Sequence, residues 1–153
     1  MTIQWVYLNK DTATIDALKD YCGMKHILLS YSDDVTETQE YLSSIHTPML
    51  SWNAPGLVNP HATDGSIARS LDLIDVLKDR YQQALEYMAW FLPAWNVLSE
   101  EERFILSEFF MKDGVKKTEV ISKMIGRLNI ERAQVYRQRE KAIRHLSLLL
   151  YGK

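Results

Sequence analysis

Two stretches of this sequence place apolar residues at alternating spacings of three and four, and nothing else narrows the choice of fold as much. Tyr21, Met24, Leu28, Tyr31, Val35, Thr38, Leu42 and Ile45 form the first series. Ile74, Leu77, Tyr81, Ala84, Met88, Phe91 and Trp95 form the second. An α-helix turns about 100° per residue, so each series becomes one stripe along one helix. Two stripes facing each other predict a long antiparallel, coiled-coil-like helical hairpin. Thr63 or Asp64 is the expected N-cap of its second helix, and Gly23 is a weak point in its first. Pro93 lacks an amide hydrogen and is expected to bend or end the second helix near Leu92. The aromatic and Met residues on the stripes read as core rather than as a cofactor-binding box. Trp90 and Trp95 are large for a core of two helices, so a homodimer through the hairpin is a further expectation.

Between the stripes, Pro48, Pro55, Gly56, Pro60 and Gly65 cluster within residues 47–65. This is the one long stretch where helix breakers gather, and it reads as a connector, with Trp52 and Leu57 tacking it to the scaffold. Three shorter helices are expected after residue 97. Ser99 is placed to cap the first, and Glu102 three residues later completes a capping box on an acidic first turn. Phe104, Ile105, Leu106, Phe109 and Phe110 supply its buried face, and Lys112-Asp113-Gly114 stops it. A helix over about 118–127 carries Val120, Ile121, Met124 and Ile125. After the break Leu128-Asn129-Ile130, a last helix over about 131–150 carries Val135, Ala142, Leu146 and Leu149. Two helices joined by a three-residue turn, apolar on both sides of it, match the helix-turn-helix pattern. The expected fold is therefore all-α. A hairpin scaffold occupies 1–97 and a three-helix, helix-turn-helix domain occupies 98–153.

Charge separates along the same line. The whole chain has a formal net charge of −2, but residues 1–111 sum to −9 and residues 112–153 to +7. A basic module on an acidic scaffold points to a polyanionic partner. In a helix-turn-helix the second helix of the pair enters the DNA major groove. Counting 100° per residue from Val135 turns Ala133, Gln134, Arg137, Lys141 and Arg144 away from the core, with Arg132 on the exposed first turn. Arg pairs with guanine and Gln with adenine on their groove edges. Lys116, Lys117 and the amides near Thr118 lie at the preceding helix's start, which suits phosphate oxygens. Arg139 falls toward the inner side and is expected in a structural ion pair. Arg127 is placed for either the turn or a phosphate.

The stretch from Leu98 to Gly152 resembles region four of bacterial sigma factors, the helix-turn-helix that reads a promoter hexamer. Glu140-Lys141-Ala142-Ile143-Arg144-His145-Leu146 is similar to that region's ending. Leu128-Asn129-Ile130 followed by Arg132 and Val135-Tyr136-Arg137 resembles its turn and recognition helix. With the N-terminal hairpin, the connector and the terminal Leu-Leu-Tyr-Gly, the chain looks like small sigma-like transcriptional regulators of phages and prophages of Gram-positive bacteria. The resemblance implies DNA contacts at Arg132, Gln134 and Arg137, with Tyr136 and Lys141 nearby. It also implies that the helix around Phe104–Phe110 and the recognition-helix tail approach RNA polymerase. Two departures stand out. Glu131 occupies a position where Ser or Thr commonly caps, and Ala133 replaces a Glu that reads cytosine in housekeeping sigma factors. Nothing in the chain matches the regions that melt DNA.

The expected function is a DNA-binding transcription regulator acting on double-stranded promoter DNA, with RNA polymerase a candidate second partner. The alternative is an adaptor or anti-sigma-type module that binds polymerase or a sigma factor without reading DNA. An enzyme is not expected, because His26, His46, His61 and His145 are scattered, and no cofactor is implied. No phosphate-binding glycine loop occurs. Cys22, the single cysteine, excludes an internal disulfide, and no cluster has zinc spacing. No run approaches the length of a membrane span and Met1–Lys10 does not read as a secretory signal, so a cytoplasmic location is expected.

Overall fold

The computed structural model describes residues 9–46 and 60–152, with side chains over 9–44 and 65–152. Every regular element among them is helical: α1 (Lys10–His46), α2 (Pro60–Val97), α3 (Glu100–Phe110), α4 (Lys117–Leu128) and α5 (Arg132–Tyr151). The expected all-α class is what the chain adopts. No described helix is long and apolar enough to cross a membrane. Most of the connector, including Trp52 and Leu57, lies outside the described residues.

Two local expectations about α2 need correction. The helix begins at Pro60, so Thr63 and Asp64 lie in its first turns and cannot cap it. Proline is well suited to such a start, since its missing amide hydrogen has no partner in a first turn and its φ is already helical. Pro93 also fails to end the helix, which continues to Val97. Only about one turn follows Pro93, and Phe91, Ala94 and Leu98 on either side of it are 0%, 8% and 2% exposed. Their burial holds that turn against the single hydrogen bond that proline removes. Gly23 is accommodated inside α1 without a break.

The described chain divides into two compact units. One comprises residues up to Met24 together with Glu86 onward, and the other comprises Lys25–Leu85. Residues 97 and 98, between which the sequence suggests a boundary, both lie in the first unit. Its main core shows why: Ala17 and Leu18 from α1, Phe91 and Ala94 from α2, and Leu98 share one cluster with Leu106, Ala142, Ile143, Leu146 and Leu150. Tyr87 stacks on Phe91 at 5.3 Å between ring centroids and donates its hydroxyl to the Ala17 carbonyl at 2.5 Å. A second cluster joins Ile105, Val120, Met124 and Val135, with Phe104, Phe109, Leu128 and Ile130 against it. Helices α3 and α5 thus each feed both clusters. Leu106 and Ile105 are neighbours pointing to different cores, and Val135 sits about two turns before Ala142. This arrangement fixes the roll of α5 about its own axis, and therefore which of its residues face outward.

In the unit over 25–85 the contacts between α1 and α2 come from the expected stripes and from residues beside them. Tyr31 stacks on Tyr81 with centroids 4.2 Å apart, and the Tyr41 hydroxyl lies 3.2 Å from Ser66 Oγ. Partners descend along α2 as they ascend along α1, the order of antiparallel helices. Packing is thinner than in the first unit: Ala84 is the only buried apolar residue among the described residues here, alongside Thr38 and Ser70.

Candidate nucleic-acid interface

The candidate surface is built by α4, α5 and the turn between them. Helix α4 ends on Asn129, whose φ of 52° and ψ of 44° are left-handed and whose amide donates to the Ile125 carbonyl at 3.0 Å. Asparagine is the residue other than glycine that enters this region most readily, so the turn is encoded locally. Ile130 tucks against the second cluster, and Glu131 then serves as N-cap of α5 without a side-chain capping bond. Lys116 likewise caps α4 by backbone alone, leaving the first-turn amides of Lys117 and Thr118 open to an anion.

Burial then sorts the faces of α5. Val135, Ala142, Ile143, Leu146, Ser147 and Leu150 point inward. Arg132, Gln134, Arg137, Lys141 and Arg144 are exposed, as are Lys116, Lys117 and Thr118, while Tyr136 is half-buried. Lys141 also lines a cavity of about 290 Å³ with Glu101, Glu102 and Gln138, so its charge faces acidic neighbours as well as solvent.

Three further basic residues of this region, Lys112, Lys123 and Arg139, pair with carboxylates. Glu108 is 6% exposed and accepts hydrogen bonds from Lys112 and from Lys123, the latter at 2.9 Å. Burial alone would raise the carboxyl's pKa, but the two lysines outweigh it and hold it below the usual glutamate range; Lys112 is raised in return. Arg139 pairs with Glu140 at 2.6 Å, as its inward position suggests, and also lies 5.3 Å from the Phe109 ring and 5.1 Å from Tyr136. Its Nε is buried with no hydrogen-bond partner among the described residues. The aromatic contacts offset part of that cost. Arg127 stacks over Phe104 at 4.0 Å. Among the described residues Lys116, Lys117, Arg132, Arg137, Lys141 and Arg144 make no ion pair.

One feature is invisible in sequence spacing. His145 Nδ1 lies 2.9 Å from Glu102 Oε1, while Glu102 Oε2 accepts the Ser99 amide at 3.0 Å and the Glu102 amide donates to Ser99 Oγ at 3.2 Å. A single carboxylate closes the capping box of α3 and holds α5. Burial acts to raise its pKa, but the Ser99 amide and then His145 prevail, leaving it lowered. The separation of 43 positions between Glu102 and His145 explains why no sequence motif announces the pair. No group of three His, Cys, Asp or Glu that could hold a metal occurs among the described residues.

Comparison with protein-family models, with curated proteins and with solved structures found no match to this chain.

Proposed function

We propose that this protein is a DNA-binding transcription regulator that inserts α5 into the major groove of duplex DNA. On this reading α4, the Asn129 turn and α5 form a helix-turn-helix supported by α3, with α1 and α2 as scaffold. The observation that carries it is the division of charge. Lys112, Lys123 and Arg139 are paired with Glu108 or Glu140, whereas Arg137, Lys141 and Arg144, with Gln134, form an exposed, unpaired cationic face on α5, and Arg132 stands exposed on its first turn. Arg132, Gln134 and Arg137 lie on the first two turns, where a recognition helix reaches base edges. Lys116, Lys117 and the open amide of Thr118 are placed for phosphate, and Lys141 and Arg144 for the flanking backbone. Tyr136 is held beneath Arg139 and acts by packing more than by contact.

The sigma region-four resemblance makes promoter DNA the expected target and RNA polymerase a candidate partner, and no catalysis is assigned. The test is duplex binding as salt is raised. If four to six of these cations meet phosphate, log K falls against log salt with a slope of about −4 to −5. A flat response, or retention on polymerase with no affinity for duplex, would replace this reading with that of an adaptor that binds protein alone.

A further inference from the structure

We infer that a second copy of this chain covers the groove between α1 and α2 over residues 25–85, the two copies forming a four-helix bundle. The inference does not rest on the DNA reading.

Within this unit the helix pair leaves apolar residues beside its two stripes uncovered. Ala84 is the only buried apolar residue described there, while Leu73 is 46% exposed, Val76 43% and Tyr41 53%. Tyr41 and Leu73 lie along an open groove. A cavity of about 550 Å³ lined by Asp34, Glu37, Tyr41, Leu73 and Leu77 adjoins another of about 230 Å³ lined by Ile27, Tyr31 and Arg80, and Asp34 and Leu77 belong to both. Val76, outside both linings, stands three residues from Leu73 on the neighbouring side of α2.

The rims carry opposite charges. On the α1 side stand Asp34 and Glu37. On the α2 side stands Arg80, and Arg69 shares its stripe through the spacing 69, 73, 76, 80. A uniformly basic peptide would meet Arg69 and Arg80, and an acidic one would meet Asp34 and Glu37. A surface with the same two signs exchanged satisfies both rims, and a second copy turned about a two-fold axis parallel to the helices presents that surface. Such an axis lays each α1 over the partner's α2. Asp34 and Arg80 line one cavity, so they stand at the same height along the pair, and each carboxylate then faces the other copy's guanidinium. The size also fits. About 22 residues of α1 span roughly 33 Å, and two helices side by side are about 20 Å wide. That footprint is comparable with the roughly 800 Å² per partner of a standard stable interface, and packing two such pairs yields the layered core of a four-helix bundle.

Sedimentation equilibrium of the full chain tests this. The expected mass is twice the 17.8 kDa of one chain at micromolar concentration. Leu73→Glu combined with Val76→Glu should give a single-chain mass. Because that variant places two carboxylates beside the helix pair, a charge exchange serves as the independent check. Arg80→Glu and Asp34→Arg should each weaken dimerisation at least tenfold, and the two together should restore it to within about threefold of the original. A single-chain mass for the unmodified protein at 100 µM would overturn the inference. A dimer indifferent to Leu73→Glu/Val76→Glu, or a double charge exchange no better than its single parents, would do the same.

Discussion

The two compact units solve the problem of burying apolar surface in different ways. The unit built from both chain ends gathers five helical segments around two adjoining clusters, and Phe91, Leu18, Ile105, Leu106, Met124 and Leu146 within it are no more than 1% exposed. The unit over 25–85 has only two helical segments, and two helices have one mutual face. Tyr31 and Tyr81 stack across that face yet stay half-exposed, as do Val35 and Leu77. The difference shows that regular stripes on two helices specify their pairing without supplying a core. A core needs a third direction of approach, which α3 and α5 give to the first unit and which nothing within 25–85 gives to the second. On the proposed function the division is the same, since a cationic face can be aimed only where its helix is held from several sides.

Mutations can break this contrast. The largest expected effect is at the shared core of the first unit, where Phe91→Ala should cost about 3–5 kcal/mol. A matched change in the other unit, Leu73→Ala, should cost well under about 1 kcal/mol in the isolated chain, because its side chain is already 46% exposed. Thermal or urea unfolding measures both; equal losses would mean that the units are not differently packed. Next in size is Arg132→Ala with Arg137→Ala. This pair should weaken duplex binding by about 2–4 kcal/mol while leaving the melting temperature unchanged, since both side chains are exposed. A titration paired with a melting curve separates those outcomes.

Smaller and confined to the first unit is a dependence on acid. Glu102 and Glu108 both titrate below their ordinary range in the folded protein. The stability they confer is therefore complete above the unfolded glutamate value of about 4.3 and disappears as pH falls through the lower folded values. Glu108→Gln should flatten this loss, and unfolding curves recorded between pH 6 and pH 3 would reveal it. An unaltered acid profile would show that the lysine pair around Glu108 does not hold it charged.

Much of the fold was legible because its signals are local. The alternating stripes fix α1 and α2. Ser99 and Glu102 form the capping box that their spacing announces. Gly114, at φ 76°, follows the end of α3 where a stop was expected. Asn129 closes α4 within the short break read from the sequence. Exposure along α5 follows from counting 100° per residue from Val135. The features that were not legible depend on long-range contacts. Pro93 remains helical because Phe91 and Leu98 are anchored elsewhere in the chain. Lys112 could have been matched to Glu108 at four residues' distance, but Lys123 and the Glu102–His145 pair are joined only by folding. Arg139 was assigned to an ion pair by its angle on the helix, yet its stacking on Phe109 could not be read from α5 alone.

The central claim is that the outward face of α5 reads base pairs. Selection of duplexes from a randomised pool by the unmodified protein, with Arg132→Ala/Arg137→Ala carried through the same rounds, tests it most directly. An enriched sequence is expected, one that the double variant loses or relaxes at specific positions. An absence of enrichment, or the same sequence recovered with equal strength by both proteins, would contradict it.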